Sequence, residues 1–141
     1  MRKVLILFGI VSVASLGIGY YMYNMPPKHL SKVKSEVAIS ADKLMLAFEE
    51  NEQSANEAYL GKVIEVSGMI SSVVLNNDGS AQLILESQSM MGGISCNFSI
   101  KDASQVTTIL QMGQNAVVKG KCTGYLMDVV LERCIVVELI E

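Results

Sequence analysis

Tryptophan is missing from this 141-residue chain, and histidine, proline and cysteine are scarce. The single histidine, His29, stands in a Pro- and Lys-rich stretch near the N-terminus. It cannot serve a Ser/His or Cys/His pair in the C-terminal body. The three cysteines, Cys96, Cys122 and Cys134, never take CxxC spacing, and a zinc site would need four nearby N or S ligands that the chain does not supply. No glycine-rich stretch matches a phosphate or dinucleotide loop, and Gly92-Gly93 reads as a turn. Paired carboxylates such as Glu49 and Glu50 read as a solvated helix face. No catalytic set, cofactor or metal is therefore expected, and the chain reads as a non-enzyme.

Basic residues are also sparse where it matters. From Ser40 onward there are six against thirteen acidic residues, a balance of −7. Such a surface repels phosphate backbones over roughly 8–10 Å at physiological salt. Aromatics make up 6% of the chain. Single-stranded nucleic-acid grooves combine basic charge with several stacking rings, so nucleic acid is not the expected partner.

The excess of apolar residues lies at the start. Val4 to Tyr23 (VLILFGIVSVASLGIGYYMY) is twenty residues without a charge. As a helix it would span about 30 Å, the thickness of a hydrocarbon core. Arg2 and Lys3 precede it. Tyr20, Tyr21 and Tyr23 cluster at its far end, where amphipathic rings favour a membrane interface. This predicts a transmembrane anchor over 1–24. The alternative is a cleaved signal peptide with Gly17 and Gly19 at the small-residue positions. No cysteine follows the run before Cys96, so no thiol is placed for a lipoprotein acyl chain. Lys28, Lys32 and Lys34 blur the positive-inside rule, yet the short basic start favours a single-pass protein with its body outside the cytoplasm.

Residues 25–39, with Pro26-Pro27 and scattered apolar groups, read as a linker. Residues 40–141 read as one domain. Ser40 is a plausible N-cap for a helix from Ala41 to Asn51, with Leu44, Ala47, Phe48 and Asn51 at helical spacing. A second short turn is expected over Ala55–Tyr59. Five segments then alternate with period two, beginning near Ile64, Ala81, Ile94, Ala116 and Val129. Gly68 in mid-strand suggests a bulge or sharp coil. Asn76-Asn77-Asp78-Gly79 is a turn. Between the third and fourth strands, Ala103, Val106, Ile109 and Leu110 fit one face of a helix over Lys101–Met112 that ends at Gly113. The order β-β-β-α-β-β, mainly β with short helices, is that of a five-stranded Greek-key OB barrel.

The stretches YLGKVIEVSGMI (Tyr59–Ile70) and GQNAVVKGKCTGYLMDVVLERC (Gly113–Cys134) resemble the tRNA-anti-like OB-fold family. These are small envelope proteins seen mostly in Bacteroidota. The preceding ISADKLMLAFEENEQSANEAYLGK (Ile39–Lys62) is similar too, and the likeness covers roughly residues 39 to 138. The resemblance implies an OB barrel in the bacterial cell envelope. It implies no activity.

OB folds bind ligands across their second and third strands and through two flanking loops. That rule marks Asn76, Asn77, Gln82, Ser95, Asn97, Ser99, Tyr125 and Asp128 as the candidate face. The ligand would be a protein, a glycan or a small molecule, and single-stranded nucleic acid is the alternative. Cys122 and Cys134 lie equally far from Asp128. A hairpin turning there would set them opposite, about 4.5–5.5 Å apart at Cβ, within reach of a disulfide. A pair containing Cys96 and three free core thiols are the other readings.

Overall fold

The computed structural model describes residues 14, 15, 17, 18, 20, 30–90 and 92–140. The expected anchor, including Val4, Tyr21 and Tyr23, lies largely outside them. Tyr20 is described, helical and exposed. Among the described residues no helix is long and apolar enough to cross a membrane.

A short 3-10 turn at Leu30–Lys32 buries Leu30. Strand β1 (Val37–Ser40) follows and pairs in parallel with β2 (Val63–Leu75), from Val37 opposite Ile64 to Ser40 opposite Ser67. The linker expected over 25–39 therefore ends in a sheet strand, and the sheet has six strands rather than five. Four residues are too few to show a period, and their partner lies 27 positions away. Local pattern cannot reveal such a strand.

Helix α1 (Ala41–Glu50) starts where Ser40 Oγ accepts the Lys43 N–H at 3.4 Å. Its buried side is Ala41, Leu44, Met45 and Phe48. Asn51, expected at the end of that stripe, instead starts helix α2 (Glu52–Tyr59): its Oδ1 accepts the Ser54 N–H at 3.0 Å. A side-chain amide oxygen at this position satisfies one of the donors a helix start leaves orphaned.

Strands β2, β3 (Ala81–Leu85), β4 (Ile94–Phe98), β5 (Asn115–Tyr125) and β6 (Val129–Ile140) form the barrel. The order is β2-β3-β4-β6-β5, and β5 pairs back to β2, which closes the ring. This is the expected OB order. β2 serves two neighbours in turn: its first half, Val63–Met69, pairs with β5, and its second half, from Ile70, pairs with β3. β1 takes the edge that β3 leaves open. Closure of this kind leaves few unpaired backbone groups for a neighbouring chain to capture.

A helix covers each end of the barrel. α1 lies across the Leu85 end of β3. There Gly68 is needed for close approach, because a Cβ on it would sit 2.9 Å from Ala41 Cβ and 3.3 Å from Leu85 Cβ. The bulge expected at Gly68 falls instead between Ile70 and Ser72. Helix α3 (Ile100–Ile109) covers the other end with Ala103 and Val106, and buried Leu110 follows it. The interior between them is Ile64, Val66, Ile70, Leu83, Leu85, Ile94, Val118, Val129 and Leu131, with all three cysteines. Each large aliphatic side chain removed from water here contributes about 1.5–3 kcal/mol.

The weak seam is between β4 and β6. They pair over three positions only, Ile94 with Val129, Ser95 with Val130 and Cys96 with Leu131. Beyond that point the strands part.

Candidate ligand-binding face

Gln82, Ser95 and Asn97 are brought together on the outer face of β3 and β4. Gln82 and Asn97 are direct cross-strand partners. Gln82 Nε2 donates to Ser95 Oγ at 2.8 Å, and Ser95 is only 4% exposed. Asn97 Nδ2 donates to Glu132 Oε1 on β6 at 2.8 Å. Glu132 was not among the expected residues. Its outward position on the last strand depends on a register that local pattern does not reveal. Lys121 on β5 is its cross-strand partner and is exposed. A polar row thus crosses four strands and ends in an acid and a base.

The loop between β2 and β3 borders the row at one end. Asn76 Nδ2 donates to Ser80 Oγ at 2.9 Å, and Ser80 donates to Asp78 Oδ1 from its hydroxyl at 2.6 Å and its N–H at 2.9 Å. Those donors hold the Asp78 carboxyl below its ordinary value, the Ser80 side chain most of all. Asn77 at the turn is exposed. Asn76 therefore braces the turn, and Asn77 presents itself to solvent. Ser99 lies at the start of α3, where its Oγ donates to Asp102 Oδ2 at 2.6 Å.

The loop between β5 and β6 borders the other end, and here two expected ligand residues have inward roles. Asp128 Oδ1 accepts the Gly93 N–H at 2.8 Å and ties this loop to the one between β3 and β4. Tyr125 turns its ring onto Phe48 of α1, 5.5 Å between centroids with a 31° tilt. The one aromatic of the expected face is thus packed against the core. What the loops do expose is apolar: Leu126 is 88% exposed, Met127 72% and Met90 fully. The loops carrying them touch, since a Cβ on Gly92 would run into the Met127 carbonyl oxygen. Loop apolar residues carry no period, so the sequence did not mark them.

The basic side of the face is thin. Lys119 Nζ lies 3.4 Å from Glu65 Oε1 and donates to the Val33 carbonyl at 3.3 Å, so its charge is engaged at the β2–β5 side. Among the described residues no group of three or more His, Cys, Asp or Glu is placed to hold a metal. A separate cleft of about 470 Å³ opens beyond the β4–β6 seam, walled by Phe98, Val106 and Ile109 on one side and Ile135, Val137 and Leu139 on the other.

The expected Cys122–Cys134 pairing is not what the register builds. The β5–β6 hairpin turns earlier than Asp128, with Tyr125 opposite Val129, so Cys122 faces Leu131. On β6, Arg133 and Cys134 together oppose Gly120, and Arg133 takes a positive φ of 55°. This bulge aims Cys134 over Gly120, where a Cβ would meet its sulfur at 2.6 Å. All three thiols are free and buried. Burial pushes the Cys122 and Cys134 thiols above their ordinary value, Cys134 further.

The tRNA_anti-like family matches residues 1–136. The chain belongs to that family. Its OB domains are binding domains and are not known for catalysis. A search of curated proteins finds no match to this tRNA_anti-like chain. Among solved structures it is similar to a proposed nucleic acid-binding lipoprotein from Klebsiella pneumoniae subsp. pneumoniae MGH 78578, with 17% identity over 81% of this chain and 100% of that one, at a TM-score of 0.61. It is also similar to a proposed aspartyl-tRNA synthetase from Leishmania major Friedlin, with 9% identity over 92% of this chain and 27% of that one, at a TM-score of 0.50. The Stn1–Ten1 complex of S. pombe matches at 19% identity over 53% of this chain and 57% of that one, with a TM-score of 0.40. At these identities the likenesses to the Klebsiella and Leishmania proteins show the OB fold of this tRNA_anti-like domain and no more.

Proposed function

We propose that this chain is a non-catalytic binding module of the bacterial cell envelope that recognises a protein partner on the outer face of β3, β4 and β6. One observation carries the reading: Leu126, Met127 and Met90 stand exposed at the end of a polar row whose charged members are one acid and one base. Exposed apolar loop residues beside satisfied polar groups suit a protein surface, where such side chains fill pockets. Methionine adapts its shape to varied partners.

The uncharged run at 4–23 behind Arg2 and Lys3 supports a single-pass tether that leaves the body outside the cytoplasm. The lipoprotein description of the Klebsiella protein supports an envelope setting. That same description favours a second reading, binding of single-stranded nucleic acid. Against it stand the acidic balance of the domain and the inward ring of Tyr125.

A photo-crosslinking residue placed at Leu126 of the full chain in intact cells should trap one discrete protein. Detergent-solubilised full chain should give no shift of a labelled single-stranded oligonucleotide at 50 mM salt, a condition chosen to favour phosphate contacts. Salt-sensitive oligonucleotide binding, with no crosslinked protein, would overturn the proposal in favour of the second reading.

A further inference from the structure

The β4–β6 seam is the exception to the closure of the barrel. On the β4 side the pairing of β6 ends with Leu131, while on the β5 side it runs on to Ile140. From Glu132 onward one edge of β6 therefore meets the cleft rather than another strand. Alternate residues of such a strand turn their N–H and C=O groups away from the paired neighbour. The β5 register also passes over Val137, which stands 46% exposed in the cleft lining. Residues Ile135–Leu139 include neither proline nor lysine, which commonly blunt an exposed edge. Helix α3 forms the opposite wall, so the gap is a groove. Its floor is apolar, with Phe98, Val106 and Leu110 at most 4% exposed. Its charged members are both acids. Glu138 opposes Val117, an outward residue of β5, and Asp102 stands in the first turn of α3. Among the described residues no lysine, arginine or histidine lines it.

We propose that this groove takes an extended peptide segment of a partner protein, which adds to the β6 edge as a further strand and alternates apolar with basic residues. Its backbone pairs with β6 beyond Leu131. Side chains of a strand alternate between its two faces. One set drops between β6 and α3 onto Phe98, Val106 and Leu110, and the other carries lysine or arginine toward Glu138 and Asp102. A segment matching Ile135–Leu139 is about 16 Å long. In this mode backbone pairing supplies affinity and the alternate pockets supply selectivity. A second copy of this chain fits poorly by charge, because its own β6 edge brings another Glu138 in a domain that is acidic overall. The groove is distinct from the loop surface of Leu126 and Met127, so the two readings fail separately.

The probe is a displayed library of random seven-residue peptides, panned against the full chain in detergent. Enriched peptides should alternate apolar residues with lysine or arginine. A synthetic peptide of the enriched sequence should slow amide exchange across Ile135–Leu139. Val137→Lys sets a like charge on the edge and should weaken binding about tenfold or more, as should Ile109→Lys on the opposite wall. These positions are 46% and 54% exposed, so both variants should keep the thermal unfolding midpoint of the parent. Glu138→Gln should weaken binding by about two- to fivefold, the scale of one exposed ion pair. No enriched sequence, or an acidic one, would overturn the proposal. So would binding that survives both lysine variants, or that slows exchange at Leu126 and Met127 instead. Protection of Ile135–Leu139 that rises with protein concentration in the absence of peptide would assign the groove to a second copy and overturn it too.

Discussion

Tyr125 of β5 lies with its ring 5.5 Å from that of Phe48 on α1, and Phe48 also meets Tyr59 of α2 at 6.2 Å. The three rings lock both N-terminal helices to the barrel floor. Phe48→Ala should cost about 3–5 kcal/mol, the range for a fully buried aromatic. Tyr125→Phe should change stability by less than about 0.5 kcal/mol if the ring rather than the hydroxyl matters. Urea unfolding of the two variants checks this, and a larger loss for Tyr125→Phe would show that the hydroxyl has a buried partner.

Gly120 and Cys134 make a second tight pair. Gly120→Ala drives a methyl into the Cys134 sulfur at 2.6 Å and against Leu131 Cβ at 3.0 Å. The expected loss is about 1–3 kcal/mol. Adding Cys134→Ala should recover part of it, because the smaller side chain yields space. The measurement is a double-mutant cycle, and strict additivity would rule out direct contact.

Asp128 is expected to act on loop order. Asp128→Ala leaves the Gly93 N–H without its acceptor at 2.8 Å, a loss of about 1–3 kcal/mol for a buried donor. Asp128→Asn keeps an oxygen there and should lose less. Hydrogen exchange at the Gly93 amide should quicken in the alanine variant and change little in the asparagine one.

The reduced domain should weaken in alkali. Burial raises the folded-state value of Cys134 well above the ordinary 9.0, and that of Cys122 above it as well. A raised value means the stabilising difference is fully present below the unfolded value. It is lost as pH rises from there through the folded value, because the unfolded chain ionises first. The midpoint of thermal unfolding in a reductant should thus fall above about pH 9, the unfolded cysteine range. The fall should be smaller in Cys134→Ala. Equal slopes in the two proteins would remove the thiol as the cause.

Leu126 and Met127 should matter for recognition and hardly at all for folding. Changing both to Glu at 88% and 72% exposure should shift stability by no more than about 0.5 kcal/mol. The protein trapped by a crosslinker at Lys121, on the same polar row, should be lost. Retention of that adduct at wild-type yield would move the interface elsewhere.

Much of this molecule is written in its local pattern. Alternation from Ile64, Ala81, Ile94, Ala116 and Val129 produced the five barrel strands, and helical spacing produced α1 and α3. A strand or helix announces itself through which side chains must share one face, and the family resemblance pointed to the same barrel. Tertiary structure alone decided what depends on partners far along the chain. β1 exists because β2 offers it a free edge. Tyr125 is a core ring because α1 folds beneath it. Cys134 sits over Gly120 rather than opposite Cys122 because a bulge of one residue at Arg133 reverses the inward–outward parity of β6. Parity and register are cumulative along a strand, so a single extra residue redirects every side chain beyond it, and only the closed sheet fixes where that residue falls.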